Sequence, residues 1–201
     1  MERSDKPRVA VYGGSFNPPH VGHVLGVVYA LSTAPIDEVL VVPVYRHPFS
    51  KHLVPYAERL AMCQLALGWI PRVTISTVEE ELGGESLTLR TVEHLAATRP
   101  DWTLRLLVGS DVLADLPKWH RWDRIAALAP PLVMGRAGVE AAGAEVTWVG
   151  AAETPMLPRV SSTEIRAALA AGRYDEVRGL VPASVLEHIG ARKLYGVPDG
   201  A

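Results

Sequence analysis

Residues 13–23 of the chain, Gly-Gly-Ser-Phe-Asn-Pro-Pro-His-Val-Gly-His, combine residue types that can bind phosphate. The two glycines at the start of the segment let the backbone turn sharply and approach a ligand closely. His20 and His23 are three residues apart, so they share one face if a helix begins near Pro19. A helix start leaves N–H groups unpaired and carries partial positive charge, which attracts anions. The segment therefore predicts a phosphate site at the start of a helix.

A cluster of hydroxyl residues predicts a second element of the same kind. Ser161, Ser162 and Thr163 directly precede Glu-Ile-Arg-Ala-Ala-Leu, a stretch with helical character. Hydroxyl side chains before such a stretch are typical of a helix N-cap. A capped helix start can also hold phosphate, and Arg166 would lie about one turn into the helix, within reach of phosphate oxygens.

A third segment, Gly109-Ser110-Asp111, directly follows an apolar run at 104–108. The Asp111 carboxylate can accept two hydrogen bonds from the hydroxyls of a ribose, or it can cap a helix that begins there. Further on, Trp119 offers a flat face on which an aromatic ring can stack, or it packs in the core. Trp122 is expected to pack.

The two histidines could also be half of a metal site. The chain has no cysteine partner for them, and no carboxylate lies near them in sequence, so we expect no protein-bound metal ion. Cys63, the only cysteine, lies in an apolar helix-like stretch and cannot form an internal disulfide. We expect it to be a small core residue in a reducing compartment.

Alternating strand-like and helix-like runs must position these segments. Strands are predicted at 9–12, 39–43, 73–77, 104–108, 132–134 and 146–149. Helices are predicted at 22–31, 56–69, 88–97, 121–127, 162–171 and 182–192. The strand runs are apolar without strict alternation, which is typical of strands covered on both faces.

The pattern predicts an α/β fold: a Rossmann-like, doubly wound, mainly parallel sheet with helices on both faces. We expect one domain over residues 1–201, with a flexible tail at 1–7, a surface loop at 137–144 and a short helical part at 172–195. In such sheets ligands bind beyond the carboxyl ends of the strands. The first and third segments both directly follow predicted strands, so the topology could bring them together.

Composition excludes some classes of partner. The chain has 201 residues, of which 48% are hydrophobic, enough to fill one core. Its 20 basic and 22 acidic residues give a net charge of −2 without a Lys/Arg run, which argues against a nucleic-acid interface. The amino-terminal residues are polar, and no apolar run reaches the roughly 20 residues that span a membrane. We therefore expect a soluble, cytoplasmic protein, of unknown oligomeric state.

The order Gly-Ser-Phe-x-Pro-x-His-x-Gly-His resembles the signature of the nucleotidyltransferase superfamily with HxGH sites. The segments at 160–166 and 109–125 extend the resemblance to about residues 9–195, and within the superfamily the chain is similar to bacterial nicotinate-nucleotide adenylyltransferases. The resemblance implies that nicotinate mononucleotide attacks ATP in line, giving nicotinate adenine dinucleotide and pyrophosphate without a covalent enzyme intermediate. It also implies Mg²⁺, carried mainly by the ATP phosphates.

The resemblance also implies roles for individual residues. His20 and His23 are the implied catalytic residues. Those implied to bind ATP are Gly13, Gly14, Ser15, Phe16, His20, His23, Gly109, Asp111, Ser162, Thr163 and Arg166. Those implied to bind the nicotinate nucleotide are Asn17, Lys51, Thr88, Leu89, Trp119 and His120.

Two stretches depart from the family pattern. The family has roughly Ser-Tyr-Thr where this chain has Ser86-Leu87-Thr88, which leaves recognition to the backbone of Thr88 and Leu89. The sequence of the basic loop at 43–52 also differs from the family pattern. The loop either binds substrate phosphate, through Lys51 or His47, or is simply solvated.

Three alternatives remain open on the sequence alone. The acceptor could be nicotinamide mononucleotide or phosphopantetheine in place of nicotinate mononucleotide. The chain could also be a nucleotide sensor without catalytic activity, although both histidines are present.

Overall fold

The structure is a computed structural model that describes residues 6–47, 53–135, 147–149 and 157–196. Its centre is a parallel sheet formed by six strands. These are β1 (Arg8–Gly14), β2 (Glu38–Pro43), β3 (Val73–Ile75), β4 (Thr103–Gly109), β5 (Pro131–Met134) and β6 (Thr147–Trp148). The strand order is β3-β2-β1-β4-β5-β6, and every neighbouring pair is parallel.

Helices cover both faces of the sheet. The α-helices are α1 (Val21–Thr33), α2 (Tyr56–Leu67), α3 (Val78–Leu82), α4 (Thr88–Thr98), α5 (Trp122–Leu128), α6 (Ser162–Ala170), α7 (Tyr174–Val177) and α8 (Ala183–Ala191). Two 3₁₀ helices add Ser110–Lys118 and Leu194–Gly196. The predicted α/β fold is confirmed.

Alternate side chains of each central strand enter two different cores. In β1, Ala10 and Tyr12 pack with α1, α2, α6, α7 and α8, whereas Val9 and Val11 pack with α3, α4 and α5. All four of these side chains are buried. This two-sided burial explains why the strand runs are apolar at successive positions.

Most predicted elements are found, with shifted ends. Helix α1 begins at Val21, one residue before the predicted start, and His20 is the N-cap, so the start near Pro19 that would place both histidines inside the helix is not found. Strand β3 and helix α2 are two residues shorter at their carboxyl ends than predicted. The 3₁₀ helix Ser110–Lys118 was not predicted.

Other expectations concern the ends and the loops. The predicted surface loop at 137–144 and residues 1–5 of the predicted tail lie outside the described residues. Cys63 is fully buried in α2, as expected, and burial raises the pKa of its thiol. Within the described ranges, no helix is long and apolar enough to cross a membrane.

The chain reverses its direction across the sheet between β1 and β4. From β1 it runs outward to β2 and β3, and from β4 it runs outward to β5 and β6. Because β1 and β4 are parallel neighbours, their last residues, Gly14 and Gly109, lie at the same edge of the sheet. A crevice opens at this kind of reversal, so the first and third sequence segments do come together.

Candidate active site

The loop between β1 and α1, residues 15–20, passes over this edge of the sheet. Phe16 has a positive φ of 46°, and the Asn17–Pro18 peptide bond is cis. The Phe16 ring is 2% exposed and packs edge-on against Tyr12, with ring centroids 5.5 Å apart. The ring is therefore part of the core, which leaves only the Phe16 backbone for the ATP contact that was predicted for this residue.

The two histidines of the first segment stack where α1 begins. Their ring centroids are 3.8 Å apart with 32° between the planes. His20 is 2% exposed, and a side-chain carbon at Gly22 would lie 3.1 Å from its ring. The glycine between the histidines therefore leaves room for the His20 ring, and the two imidazoles form one unit at the helix start.

A backbone hydrogen bond fixes the tautomer of His23. The His20 N–H donates to His23 Nδ1 at 3.1 Å, which satisfies one of the unpaired donors at the helix start. Since Nδ1 accepts this bond, the proton of the neutral ring is on Nε2. The helix cap thus makes the His23 Nε2–H group a donor.

The second sequence segment packs directly against the β1–α1 loop. Arg166 Nη1 donates to the Asn17 carbonyl oxygen at 2.7 Å, and its Nη2 donates to Thr163 Oγ1 at 3.1 Å. Ser162 Oγ donates to the Pro18 carbonyl oxygen at 3.0 Å. The two segments predicted to bind phosphate therefore form one site. The predicted N-cap of α6 is confirmed, since Ser161 Oγ accepts from the Glu164 N–H.

A buried arginine supports the same loop. Arg59 of α2 is 1% exposed, and it donates from Nη1 to the Ser15 carbonyl oxygen and from Nε to the Val54 carbonyl oxygen, both at 3.1 Å. Burial lowers the pKa of Arg59. Its role was missed because an arginine at position 59 of a helical stretch carries no local signal of burial.

Asn17 takes part in the loop's own support. It is 2% exposed, and its Oδ1 accepts from the Val54 N–H at 3.3 Å and from the Tyr195 hydroxyl at 2.9 Å. The structure thus gives Asn17 a part in holding the loop, and its contact with a nicotinate nucleotide stays a prediction.

The third segment begins a 3₁₀ helix at the end of β4. The N-cap of this helix is Gly109, so the alternative that Asp111 caps a helix was wrong. Asp111 lies exposed in the first turn. This placement at the sheet edge leaves its carboxylate accessible, as contact with a ribose requires.

A cleft of about 690 Å³ opens beside this helix. Its lining residues are Ser86, Leu87, Thr88, Leu89, Asp115, Lys118, Trp119, His120 and Ile125. Trp119 is half-buried and meets Trp122 edge-on, with centroids 6.2 Å apart. We call this space the acceptor cleft, since it collects Thr88, Leu89, Trp119 and His120 from the predicted nicotinate-nucleotide residues. Lys51 lies outside the described residues.

A second cavity of about 310 Å³ connects the acceptor cleft with the β1–α1 loop. Its polar and glycine lining includes Gly13, Gly14, Ser15, His47, Glu79, Ser86, Thr88 and Thr91. It shares Ser86, Thr88 and Trp119 with the acceptor cleft. The two spaces therefore adjoin, and we call the second one the central cavity.

A buried carboxylate holds the chain that follows β2 beside the central cavity. Glu79 Oε2 and Ser86 Oγ both accept from the Tyr45 N–H, at 3.0 and 2.9 Å. Glu79 Oε1 accepts from Thr91 Oγ1 at 3.2 Å. Glu79 is 8% exposed, but in sequence it cannot be told from its neighbours in a run of three glutamates. It was therefore missed.

The described residues contain no group of three or more His, Cys, Asp or Glu side chains that could hold a metal ion.

The comparison with known families gives the class of protein. The cytidylyltransferase-like family model matches residues 11–168, which include the last four residues of β1, the β1–α1 loop and most of α6. The chain therefore belongs to this family, and its class is that of the nucleotidyltransferases.

Relatives of known description narrow the class. A protein of Anaeromyxobacter dehalogenans (strain 2CP-C), described as "Probable nicotinate-nucleotide adenylyltransferase", is 47% identical over 190 residues, covering 93% of this chain and 96% of that protein. A Myxococcus xanthus (strain DK1622) protein of the same description is 39% identical over 194 residues, covering 94% and 95%. The chain belongs to the nicotinate-nucleotide adenylyltransferase family.

A solved structure shares the fold at much lower sequence identity. The nicotinic acid mononucleotide adenylyltransferase of Plasmodium falciparum, complexed with NaAD, superposes with a TM-score of 0.82 at 16% identity. The match covers 96% of this chain and 98% of that one. The same enzyme complexed with APC gives the same values.

Proposed function

We propose that this chain transfers the adenylyl group of ATP to nicotinate mononucleotide, giving nicotinate adenine dinucleotide and pyrophosphate. The observation that carries the proposal is the convergence of Arg166, His20 and His23 on one loop, beside a cleft with an aromatic wall. The loop supplies groups for a triphosphate, and the cleft supplies a surface for the ring of the acceptor.

The reaction needs little covalent work from the protein. An oxygen of the acceptor's phosphate, already ionised at neutral pH, attacks the α-phosphorus of ATP, and the bond from that phosphorus to the pyrophosphate oxygen breaks. The reacting groups are all anionic, so catalysis comes from positioning them and stabilising the charge that develops on the leaving pyrophosphate.

The residues around the β1–α1 loop have the donors for this task. The His23 Nε2–H group, His20 and the Arg166 guanidinium donate to phosphate oxygens, helped by Ser162 and Thr163 at the start of α6. Backbone N–H groups near Gly14 and Ser15 add further donors, and Asp111 accepts from the ribose hydroxyls. Mg²⁺ arrives with ATP, bound to phosphate oxygens and water, and neutralises part of the charge.

The acceptor cleft favours an acid over an amide. Helix α4 begins at Thr88, and no side chain of the described residues caps it, so the first N–H groups of the helix, those of Thr88 and Leu89, are offered to the cleft. Such donors and the positive end of the helix stabilise a carboxylate more than a neutral carboxamide. We therefore infer that the ring stacks on Trp119 while its carboxylate meets the start of α4.

We place this reaction in the cytoplasm, where ATP is available and where a single unpaired cysteine stays reduced. Its partners are the small-molecule substrates, since the sequence offers neither a basic surface run nor a membrane segment.

The proposal is tested by pyrophosphate release with ATP and Mg²⁺ and one of three acceptors at equal concentration. The acceptors are nicotinate mononucleotide, nicotinamide mononucleotide and phosphopantetheine. We expect strong preference for the first. Preference for either of the others would overturn the acceptor assignment while keeping the chemistry, and ATP binding without release would point to a sensor.

Replacing Trp119 with alanine should raise the KM for nicotinate mononucleotide about tenfold or more, because the ring loses its stacking partner. The KM for ATP should change by less than about twofold, and Trp119→Phe should restore part of the loss. Steady-state kinetics with each substrate varied in turn measure the effect. Trp69→Ala is the control, since Trp69 is 67% exposed and lies on α2's carboxyl side. An equal rise in both KM values would show that Trp119 only packs in the core and does not bind the acceptor.

A further inference from the structure

The carboxyl-terminal 3₁₀ helix, Leu194–Gly196, reaches back to the β1–α1 loop. Its Tyr195 hydroxyl donates to Asn17 Oδ1 at 2.9 Å, although the two residues are 178 positions apart in sequence. Leu194 and Tyr195 pack against the core that includes α6 and α8. A side chain from the far end of the chain therefore contributes to the site at its start.

The direction of this hydrogen bond is set by its surroundings. The Val54 N–H can only donate, so the atom of the Asn17 amide that it meets must be the oxygen, Oδ1. The Tyr195 hydroxyl meets the same oxygen and must therefore donate to it. Burial raises the pKa of Tyr195, so its hydroxyl keeps its proton.

The backbone at this point is held in an unfavourable conformation. Tyr195 and Lys193 have φ values of 60° and 51°, in the left-handed region that costs a residue with a side chain about 1 kcal/mol. Such a conformation persists only where surrounding packing determines it. The structure therefore places the Tyr195 hydroxyl firmly.

Asn17 joins Tyr195 to the residues that we assign to ATP. Its carbonyl oxygen accepts from Arg166, while its side chain accepts from Tyr195. The Arg166 charge is near enough to Tyr195 to oppose the rise in its pKa. The three side chains form one cluster, in which a shift of Asn17 displaces the main-chain anchor of Arg166.

We propose that Tyr195 is a positioning residue for ATP: it fixes Asn17, and through Asn17 it holds the β1–α1 loop and Arg166 in the geometry that receives the triphosphate. The inference deepens the proposed function and rests on it for the identity of the nucleotide. Tyr195 does not touch the reacting atoms.

The test compares Tyr195→Phe with Tyr174→Phe. Both changes remove one phenolic oxygen, but the Tyr174 hydroxyl is buried and has no hydrogen-bond partner in the part of the chain that the structure describes. Isothermal calorimetry with ATP and Mg²⁺, without acceptor, measures the affinity. We expect Tyr195→Phe to weaken ATP binding about tenfold, the effect of one lost buried hydrogen bond. Tyr174→Phe should bind like the parent protein.

Two further readouts separate positioning from general stability. Thermal melting measures general stability, and in an Asn17→Ala background the same change should have no further effect on ATP affinity. A variant that melts earlier but binds ATP normally would overturn the proposal, as would a loss that persists in the Asn17→Ala background.

The outcome is separable from the acceptor assignment, because the binding measurement contains no acceptor. If the parent protein binds ATP but does not use nicotinate mononucleotide, the proposed function fails, while a selective loss in Tyr195→Phe still supports the role of Tyr195.

Discussion

Replacing His23 with alanine should lower kcat for dinucleotide formation by about 10²- to 10³-fold, the usual effect of losing one donor to developing charge. The variant loses the Nε2–H group, and it also loses the acceptor for the His20 N–H at the start of α1. The first loss should affect the rate and the second the stability. Assays of product at fixed times measure the rate, and thermal melting measures the stability.

His23→Asn separates the two losses by design. The asparagine oxygen can take the place of Nδ1 and accept from the His20 N–H, but the side chain is too short to replace Nε2. We expect it to melt close to the parent protein and to remain as slow as His23→Ala. His94→Ala, a histidine change on α4 away from the β1–α1 loop, should leave kcat unchanged. A His23→Asn variant with normal kcat would show that His23 only caps the helix.

Replacing Arg166 with alanine should lower kcat/KM for ATP by about 10²-fold or more, because three charge-assisted contacts are lost. Two are the bonds to the Asn17 carbonyl oxygen and to Thr163 Oγ1, and the third is the proposed contact with phosphate. Initial rates at limiting ATP give this ratio directly.

Two further substitutions of Arg166 distinguish its support of the loop from its charge interaction with phosphate. Arg166→Lys keeps the charge without the planar fork, and Arg166→Gln keeps a donor without the charge. If phosphate binding dominates, Lys should retain more activity than Gln. Arg173→Ala is the matched control, since its ion pair with Glu176 is exposed on both sides. Activity in Arg166→Ala close to that of Arg173→Ala would remove Arg166 from the ATP site.

The segments that meet at the β1–α1 loop could be predicted from the sequence better than the residues that support the loop. His20, Ser162 and Arg166 lie in short segments whose types and spacing carry a local physical meaning, such as a glycine turn or a capped helix. Strand patterns located the sheet because strands that are buried on both faces must be apolar at successive positions. The first and third segments come together because of the order of the strands in the sheet. This order cannot be read from the sequence.

The supporting residues could not be found in this way. Arg59 and Glu79 bond main-chain groups that lie 44 and 34 positions away, and Tyr195 bonds an amide that lies 178 positions away. A charged residue in a helical stretch has the same local pattern whether it faces water or a buried carbonyl oxygen. Only the tertiary structure separates the two cases, since burial of Arg59 depends on how α2 packs beneath the loop.

The start of α1 shows the same limit on a smaller scale. A helix beginning near Pro19 would have placed both histidines on its first turn, whereas His20 is extended and precedes the helix. The pattern of apolar residues is the same in both cases. The backbone bond from His20 to the His23 ring accompanies the observed start, and the pattern of apolar residues does not report such side-chain geometry.

The shared wall of the acceptor cleft and the central cavity bears on how the reaction ends. In the proposed binding mode, a dinucleotide product would lie across both spaces at once, against Ser86, Thr88 and Trp119 where they adjoin, whereas each substrate would occupy one part. Leaving the enzyme would then require both sets of contacts to break together. Product dissociation should accordingly be slow enough to limit turnover, and accumulated dinucleotide should inhibit competitively against either substrate.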